Sequence, residues 1–229
     1  MKVLGIIPAR GGSKGVRRKN IKILNGKPLI EYTINSAINS ELSRIIVSTD
    51  DIEISNFANS LNIETPFKRP ANLSSDQASS LDVAIHGLLE TEKIDNIKYD
   101  AVMLLQPTTP FRTKDDINSA IEIIRNNNVD SVISVVNVGG NHPARMKYIK
   151  NNRLIDPPFC EIVENQNRQE LEPMYIRNGA IYLTKRSVLL NKSFKGQDSY
   201  AYVMSENTSV NIDTQKDFDY ANWISKNNL

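Results

Sequence analysis

Residues 8–20, "PARGGSKGVRRKN", directly follow the apolar run Val3–Ile7 and concentrate unusual chemistry in a short loop. Arg10, Lys14, Arg17, Arg18 and Lys19 supply five cations, Ser13 a hydroxyl, and Gly11, Gly12 and Gly15 a backbone without side chains. Gly11 and Gly12 permit positive φ and close backbone approach. Successive N–H groups in such a turn form an anion-binding nest. Nest, cations and hydroxyl together match a polyphosphate. The loop lacks the Gly-Lys-Ser/Thr ending of a Walker A motif and the spacing of a G-x-G-x-x-G dinucleotide fingerprint. Arg17 and Arg18, taken singly, suit a solvated basic turn equally well.

A second concentration is "NIDTQKDF", residues 211–218. A carboxylate at a strand end can hold Mg²⁺, which keeps waters and takes its other ligands from phosphates. Asp213 is the expected metal ligand, with Asn211 beside it as a weaker, neutral oxygen donor. Thr214 and Asp217 have the spacing of a capping box that starts a last helix, and both roles are compatible. Ser79 and Asp82 share that spacing. His86 falls in a helical pattern and reads as structural.

These groups need a frame. Runs at 2–7, 44–48, 101–105, 131–136 and 180–183 have strand length. Between them, apolar residues recur at helical spacing: Ile54, Phe57, Ala58 and Leu61; Leu81, Ala84, Ile85 and Leu88; Ile117, Ala120, Ile121 and Ile124. Pro28 suits the first turn of another helix carrying Ile30, Thr33, Ile34 and Ala37. Strands that are apolar throughout, alternating with helices, imply an α/β fold with a mainly parallel, doubly wound sheet. Ligands then sit beyond the carboxyl ends of the strands, where the basic loop begins.

The alternation breaks from about 138 to 176. Gly139, Gly140, Pro143, Pro157, Pro158 and Pro173 punctuate that stretch. So long a segment without a helix is uncommon in a compact domain. It reads as an inserted arm of short strands that contacts a second copy of the chain, or as a disordered loop. Met146, Tyr148, Ile149, Leu154, Ile155, Phe159 and Ile162 give the arm something to bury. The asparagine runs Asn126–Asn128 and Asn227–Asn228 read as solvated helix ends.

The 229 residues, 40% hydrophobic, suit one domain with this small insertion. A net charge of +2 excludes a global basic field for nucleic acid. The single cysteine, Cys160, excludes an internal disulfide and a cysteine zinc site. No apolar run has membrane length, and a cytoplasmic protein is expected.

In order along the chain, "IIPARGGSKGVRRKNIKILNGKPLIEYTI", "RIIVSTD", "RPANLSSDQASS", "LLQPTTPFR", "NGAIYL" and "NIDTQKDF" resemble the CMP-sialic acid synthetases. These cytidylyltransferases activate nonulosonic acids, including legionaminate. The resemblance spans nearly the whole chain. It implies a Rossmann-like nucleotidyltransferase that transfers CMP from CTP to the anomeric hydroxyl of such a sugar and releases pyrophosphate. The partners implied are CTP, the sugar, Mg²⁺ and a second copy of the chain.

By the same resemblance, Arg10, Ser13, Lys14, Lys19 and Asn20 hold the triphosphate, and the Gly11 and Gly12 backbone lines it. Arg69 and Ser80 read the cytosine, although Ser79 and Ser80 lie where a helix cap is also expected. Asp76 could orient Arg69 or shape its turn. Gln106 faces the sugar. Arg112 is expected to pair with nearby acids or cap its loop. A sugar carboxylate calls for arginine, and Arg145, Arg168 with Gln169, and Arg177 are candidates, with Tyr175 and Asn178 alongside. His142 could line the sugar pocket or serve as a loop residue.

Two departures stand out. Arginine is frequent in the family two residues before the asparagine of "NGAIY", where this chain has Ile176, and the family's usual Asp-x-Asp is Asn211-x-Asp213 here. The first leaves the acceptor as N-acetylneuraminate, legionaminate or a relative, and points toward a legionaminate-type sugar. The second leaves a non-catalytic nucleotide-binding or scaffold protein of the same fold as the alternative.

Overall fold

The computed structural model describes residues 1–227, so Asn228 of the last asparagine pair lies outside the described residues. Strands are β1 (Val3–Pro8), β2 (Ile23–Leu24), β3 (Lys27–Pro28), β4 (Arg44–Ser48), β5 (Ala101–Leu104), β6 (Ser131–Asn137), β7 (Tyr148–Lys150), β8 (Arg153–Ile155), β9 (Tyr175–Lys185) and β10 (Ser199–Val203). Helices are α1 (Leu29–Ile38), α2 (Ile52–Ser60), α3 (Ser80–Asp95), α4 (Lys114–Asn127), α5 (Arg186–Leu190) and α6 (Gln215–Asn227). Six strands form the main sheet in the order β10-β6-β9-β5-β1-β4. β1 is parallel to β4 and β5, and β10 is parallel to β6. β9 runs antiparallel between β5 and β6. The mainly parallel sheet expected from sequence is present.

β1 shows why the strands are apolar throughout. Val3 and Ile7 pack on one face with Ile30 and Ile34 of α1, Ile54 of α2 and Ile121 of α4. Leu4 and Ile6 pack on the other with Leu88 of α3 and Leu189 of α5. Both sheet faces are therefore covered, and a polar residue on either would lose its water. A third cluster joins Val16, Leu24 and Leu29 to Ile212, Phe218 and Ile224, fastening the basic loop to the base of α6.

Helix starts follow local chemistry. Asp51 caps α2, accepting from the N–H groups of Glu53 and Ile54. Thr113 and Asp116 form a reciprocal capping box on α4. Ser79 caps α3 through the N–H groups of Leu81 and Asp82, leaving Ser80 as its first helical residue. Asp217 accepts from Thr214 N–H and hydroxyl at the start of α6. Pro28 stands one residue before α1 rather than inside its first turn.

Two features depart from the sequence reading. β9 has 11 residues, against the 180–183 expected. Its pairing with β6 jumps from Ile133↔Tyr182 to Val135↔Arg177, a bulge that Gly179 permits with φ +80°. A bulge hides the period of a long strand. β10 has no counterpart among the apolar runs of strand length, because it is a half-exposed edge strand without a continuous apolar run. The stretch 138–176 contains no α-helix and carries the β7–β8 hairpin, whose six residues are all exposed.

Candidate active site

β1, β4 and β5 all point the same way, and Pro8 lies beside Ser48 in register. The loops that follow these strands therefore gather on one sheet edge, where parallel sheets place their ligands. Between them lies a cleft of about 350 Å³, lined by Arg10, Ser13, Lys14, Lys19, Asn20, Arg69, Asp76, Ser80, Gln106 and Asp213, among others. Residues far apart in sequence converge there.

The basic loop is held by its own polar groups. Ser13 donates to the Val16 carbonyl and accepts from Lys19 N–H at 3.0 Å. The Asn20 amide donates to the Arg10 carbonyl at 2.9 Å. Gly15 lies so close to the Asp213 carbonyl that a Cβ would come within 2.0 Å of its oxygen. A side chain there would push the loop away from the segment that carries Asp213, which is irregular chain leading into α6 rather than the strand end expected from sequence.

The expectation of positive φ at Gly11 and Gly12 does not hold: neither adopts it, and Arg18 takes the left-handed conformation, φ 52°. Gly11 is needed for space instead. Its N–H donates to Asp50 Oδ1 at 3.1 Å, and a Cβ would meet the Asp51 carboxylate at 2.4 Å. Arg18 turns away from the cleft to pair with Asp51 and Glu53, and Arg17 is exposed. Sequence reasoning assigned no role to Asp50 or Asp51. The available signal was "STDD", a polar run at the end of an apolar strand.

Four cations face the cleft, each with an acceptor. Arg10 Nη2 and Lys14 Nζ both pair with Asp76, at 2.8 and 2.5 Å. Asp76 therefore neither orients Arg69 nor merely shapes its turn; it bridges two loops. Lys19 Nζ donates to the Ile212 carbonyl at 2.5 Å and lies 3.4 Å from Asp213 Oδ1. Arg69 is buried; its Nε donates to Ser48 Oγ at 3.1 Å and its Nη2 to the Ser48 carbonyl. Burial pushes the Arg69 guanidinium down to about 10, with Asp50 opposing the shift, so it remains charged at neutral pH.

At the far side, the Asn211 amide donates to Asp213 Oδ2 at 2.7 Å. Bulged Gly179 presses against Gln106: a Cβ would lie 2.8 Å from Gln106 Oε1 and 3.8 Å from Asn211 Oδ1. Gln106 and Asn211, 105 positions apart, thus flank one glycine. On the Asn211 side a second hollow, about 640 Å³, is lined by Tyr175, Ile176, Gly139, Gly140, Met146 and Tyr220, among others.

Other sequence candidates lie elsewhere. Asn178 is buried, accepting from Ser134 Oγ at 2.6 Å and donating to Ser209 Oγ at 2.8 Å. Arg145 donates to the Gln166 carbonyl within the arm, and Gln169 sits in a short 3₁₀ turn there. Arg177 is exposed on β9. Both His142 nitrogens bond the arm's own backbone, at Ala144 N–H and the Glu172 carbonyl, which resolves it as a loop residue. Arg112 is buried, donates to the Ala180 carbonyl at 2.7 Å, and is pushed down to about 9 by burial. It braces its loop rather than pairing with an acid. Cys160 is a free, partly buried thiol.

An α/β sheet with a cationic cleft at its carboxyl edge is the architecture of a protein that holds a small anionic ligand. The profile of the Cytidylyltransferase family matches residues 4–229, and the chain belongs to that family. It is 37% identical over 223 residues to the N-acylneuraminate cytidylyltransferase of Streptococcus agalactiae, covering 95% of this chain and 52% of that protein. It is 33% identical over 234 residues to the CMP-N,N'-diacetyllegionaminic acid synthase of Legionella pneumophila, covering 95% and 94%. The chain thus spans about half the streptococcal relative and nearly all of the Legionella one. Among solved structures, CMP:2-keto-3-deoxy-manno-octonic acid synthetase complexed with CTP superposes with a TM-score of 0.74 over the whole of both chains, at 17% identity, a likeness of fold. No helix among the described residues is long and apolar enough to cross a membrane.

Proposed function

We propose that this chain transfers CMP from CTP to the anomeric hydroxyl of a nonulosonic acid. One observation carries the reading: Arg10, Lys14, Lys19, Arg69 and Asp213 line a single cleft at the carboxyl edge of the sheet. In the reaction the anomeric oxygen bonds to the α-phosphorus of CTP as the α–β bridging P–O bond breaks and pyrophosphate leaves. Such chemistry needs positioning and charge neutralisation more than covalent help. Arg10, Lys14 and Lys19, with Ser13 and Asn20 shaping their loop, are assigned to the triphosphate. Arg69 and Ser80 are assigned to the cytosine, and Gln106 to the sugar. The groove beside Tyr175 and Asn211 is the natural continuation for a nine-carbon acid.

Mg²⁺ fits this donor set. Asp213 is exposed and lines the cleft, and a Mg²⁺ ion that takes phosphate and water ligands needs only one or two carboxylates. Asp213 would hold it, with Asn211 fixing the carboxylate by its 2.7 Å bond. The ion would neutralise phosphate charge. The exposed apolar residues of the arm support a homodimer built on that arm.

The test is pyrophosphate release with CTP, ATP or GTP against a panel containing N-acetylneuraminate and legionaminate. CTP should be used far better than either purine nucleotide, because a site with buried donors rejects a base that leaves them unpaired. Equal rates with all three nucleotides, or no turnover with any acceptor, would overturn the reading. In the same assay Asp213→Asn should raise the Mg²⁺ concentration needed for half-maximal rate. An unchanged Mg²⁺ titration would place the ion elsewhere.

A further inference from the structure

The cations of the cleft are held in two different ways. Lys19 and Arg69 are largely buried and donate to backbone carbonyls: Lys19 to that of buried Ile212, whose own N–H bonds the Thr108 carbonyl, and Arg69 to that of Ser48 at the end of β4. Arg10, half-buried in the cleft, and Lys14, exposed at its mouth, instead pair with a carboxylate from another loop. Asp76 sits in the turn Ser75–Ala78, which is closed by Ala78 N–H bonding to the Ser75 carbonyl at 3.2 Å. It gives one oxygen to each cation: Oδ1 to Arg10 and Oδ2 to Lys14. A phosphate bridging the same two groups would present its oxygens likewise.

We propose that Asp76 is an internal competitor for phosphate: it occupies Arg10 and Lys14 in the free protein, and pyrophosphate or the triphosphate tail must displace it. The inference rests on the phosphate reading of the cleft. An exposed carboxylate–cation pair contributes little, so a ligand carrying several charges displaces it readily. The Lys14 side chain is 85% exposed and that of Asp76 41% exposed, so neither is locked in place. The Lys14 ammonium, and after it the Arg10 guanidinium, hold the Asp76 carboxyl below the usual carboxylate range, so the competitor stays charged through neutral pH. Two consequences follow. The loops at 10–14 and 74–79 are held together before nucleotide arrives, and after reaction Asp76 can reclaim its cations as pyrophosphate departs.

The experiment is calorimetric titration of pyrophosphate into the full chain at low ionic strength with EDTA, so that no metal bridges the ligand. The parent is compared with Asp76→Asn, which keeps size and removes charge, and with Lys14→Ala. Asp76→Asn should bind pyrophosphate about two- to five-fold more tightly, the range of one exposed pair. The gain should shrink as salt is raised to about 0.5 M. Unchanged or weaker binding by Asp76→Asn, while Lys14→Ala binds worse than the parent, overturns the competitor and leaves the phosphate site standing. Binding that Lys14→Ala leaves untouched, or no binding by the parent, puts the anion elsewhere and overturns the reading on which the inference rests. Matching melting temperatures of the three proteins check that the effect is not one of folding.

Discussion

The cleft loop and the arm are both irregular, both rich in glycine or proline, and built on opposite principles. In residues 10–20, most polar side chains find a partner within the chain, and the loop is fastened by Val16 in an apolar cluster and by Gly15 against Asp213. In the arm, polar groups also bond locally, as His142 and Arg145 do, but most of the large apolar side chains do not pack. Ile149 is 75% exposed, Leu154 73% and Ile162 99%. A loop that closes on itself is ready to hold a small ligand. One that leaves several large apolar side chains in water offers them to another surface, which is the ground for the proposed dimer contact.

That contrast can be broken at the cleft first. Lys19→Ala removes a cation held 3.4 Å from Asp213, and, on the proposed assignment, the charge that would stabilise departing pyrophosphate. Turnover should fall by about 10²–10³, corresponding to roughly 3–4 kcal/mol. The oligomeric state should not change. Steady-state rates within a few-fold of the parent would remove Lys19 from the chemistry.

At the arm, Ile149→Asp combined with Leu154→Asp places charge on two exposed apolar positions of the β7–β8 hairpin. Ile149 and Leu154 face each other across the hairpin, so the two new carboxylates repel and cost the monomer up to about 1 kcal/mol. An interface that buries both should lose at least about 2 kcal/mol, or some 30-fold in dimer affinity. Sedimentation at micromolar concentration reads this directly. A parent that is already monomeric there ends the dimer proposal.

The smallest effect sharpens the cleft side. Ser79→Ala deletes the cap of α3, whose first residue Ser80 faces the cleft. About 1 kcal/mol should be lost, or 2–4 °C in melting temperature for a chain of this size. If Ser80 reads the base while Ser79 only caps, the ratio of CTP to ATP turnover should move in Ser80→Ala and stay put in Ser79→Ala. A shift in both would merge their roles.

How legible was this in the sequence? Strands β1, β4, β5 and β6 were readable because a doubly covered sheet demands unbroken apolar runs, a property of each segment alone. The caps at Ser79 and Thr214 were readable for the same reason: donor and acceptor lie within three residues. The full length of β9 was hidden by the Gly179 bulge, and β10 by its exposure at the sheet edge.

Side-chain type and spacing by themselves determined that a cationic loop follows the first strand and that an arm interrupts the alternation. Only the tertiary structure decided which cation meets which acceptor. Asp76 reaches Arg10 and Lys14, not Arg69; Arg69 is anchored by Ser48; Gly15 is a glycine because of a carbonyl 198 positions away, at Asp213. Propensity and periodicity are sums over neighbours in the chain. An ion pair or a steric limit between distant residues depends on how strands are ordered and registered, which no local window contains.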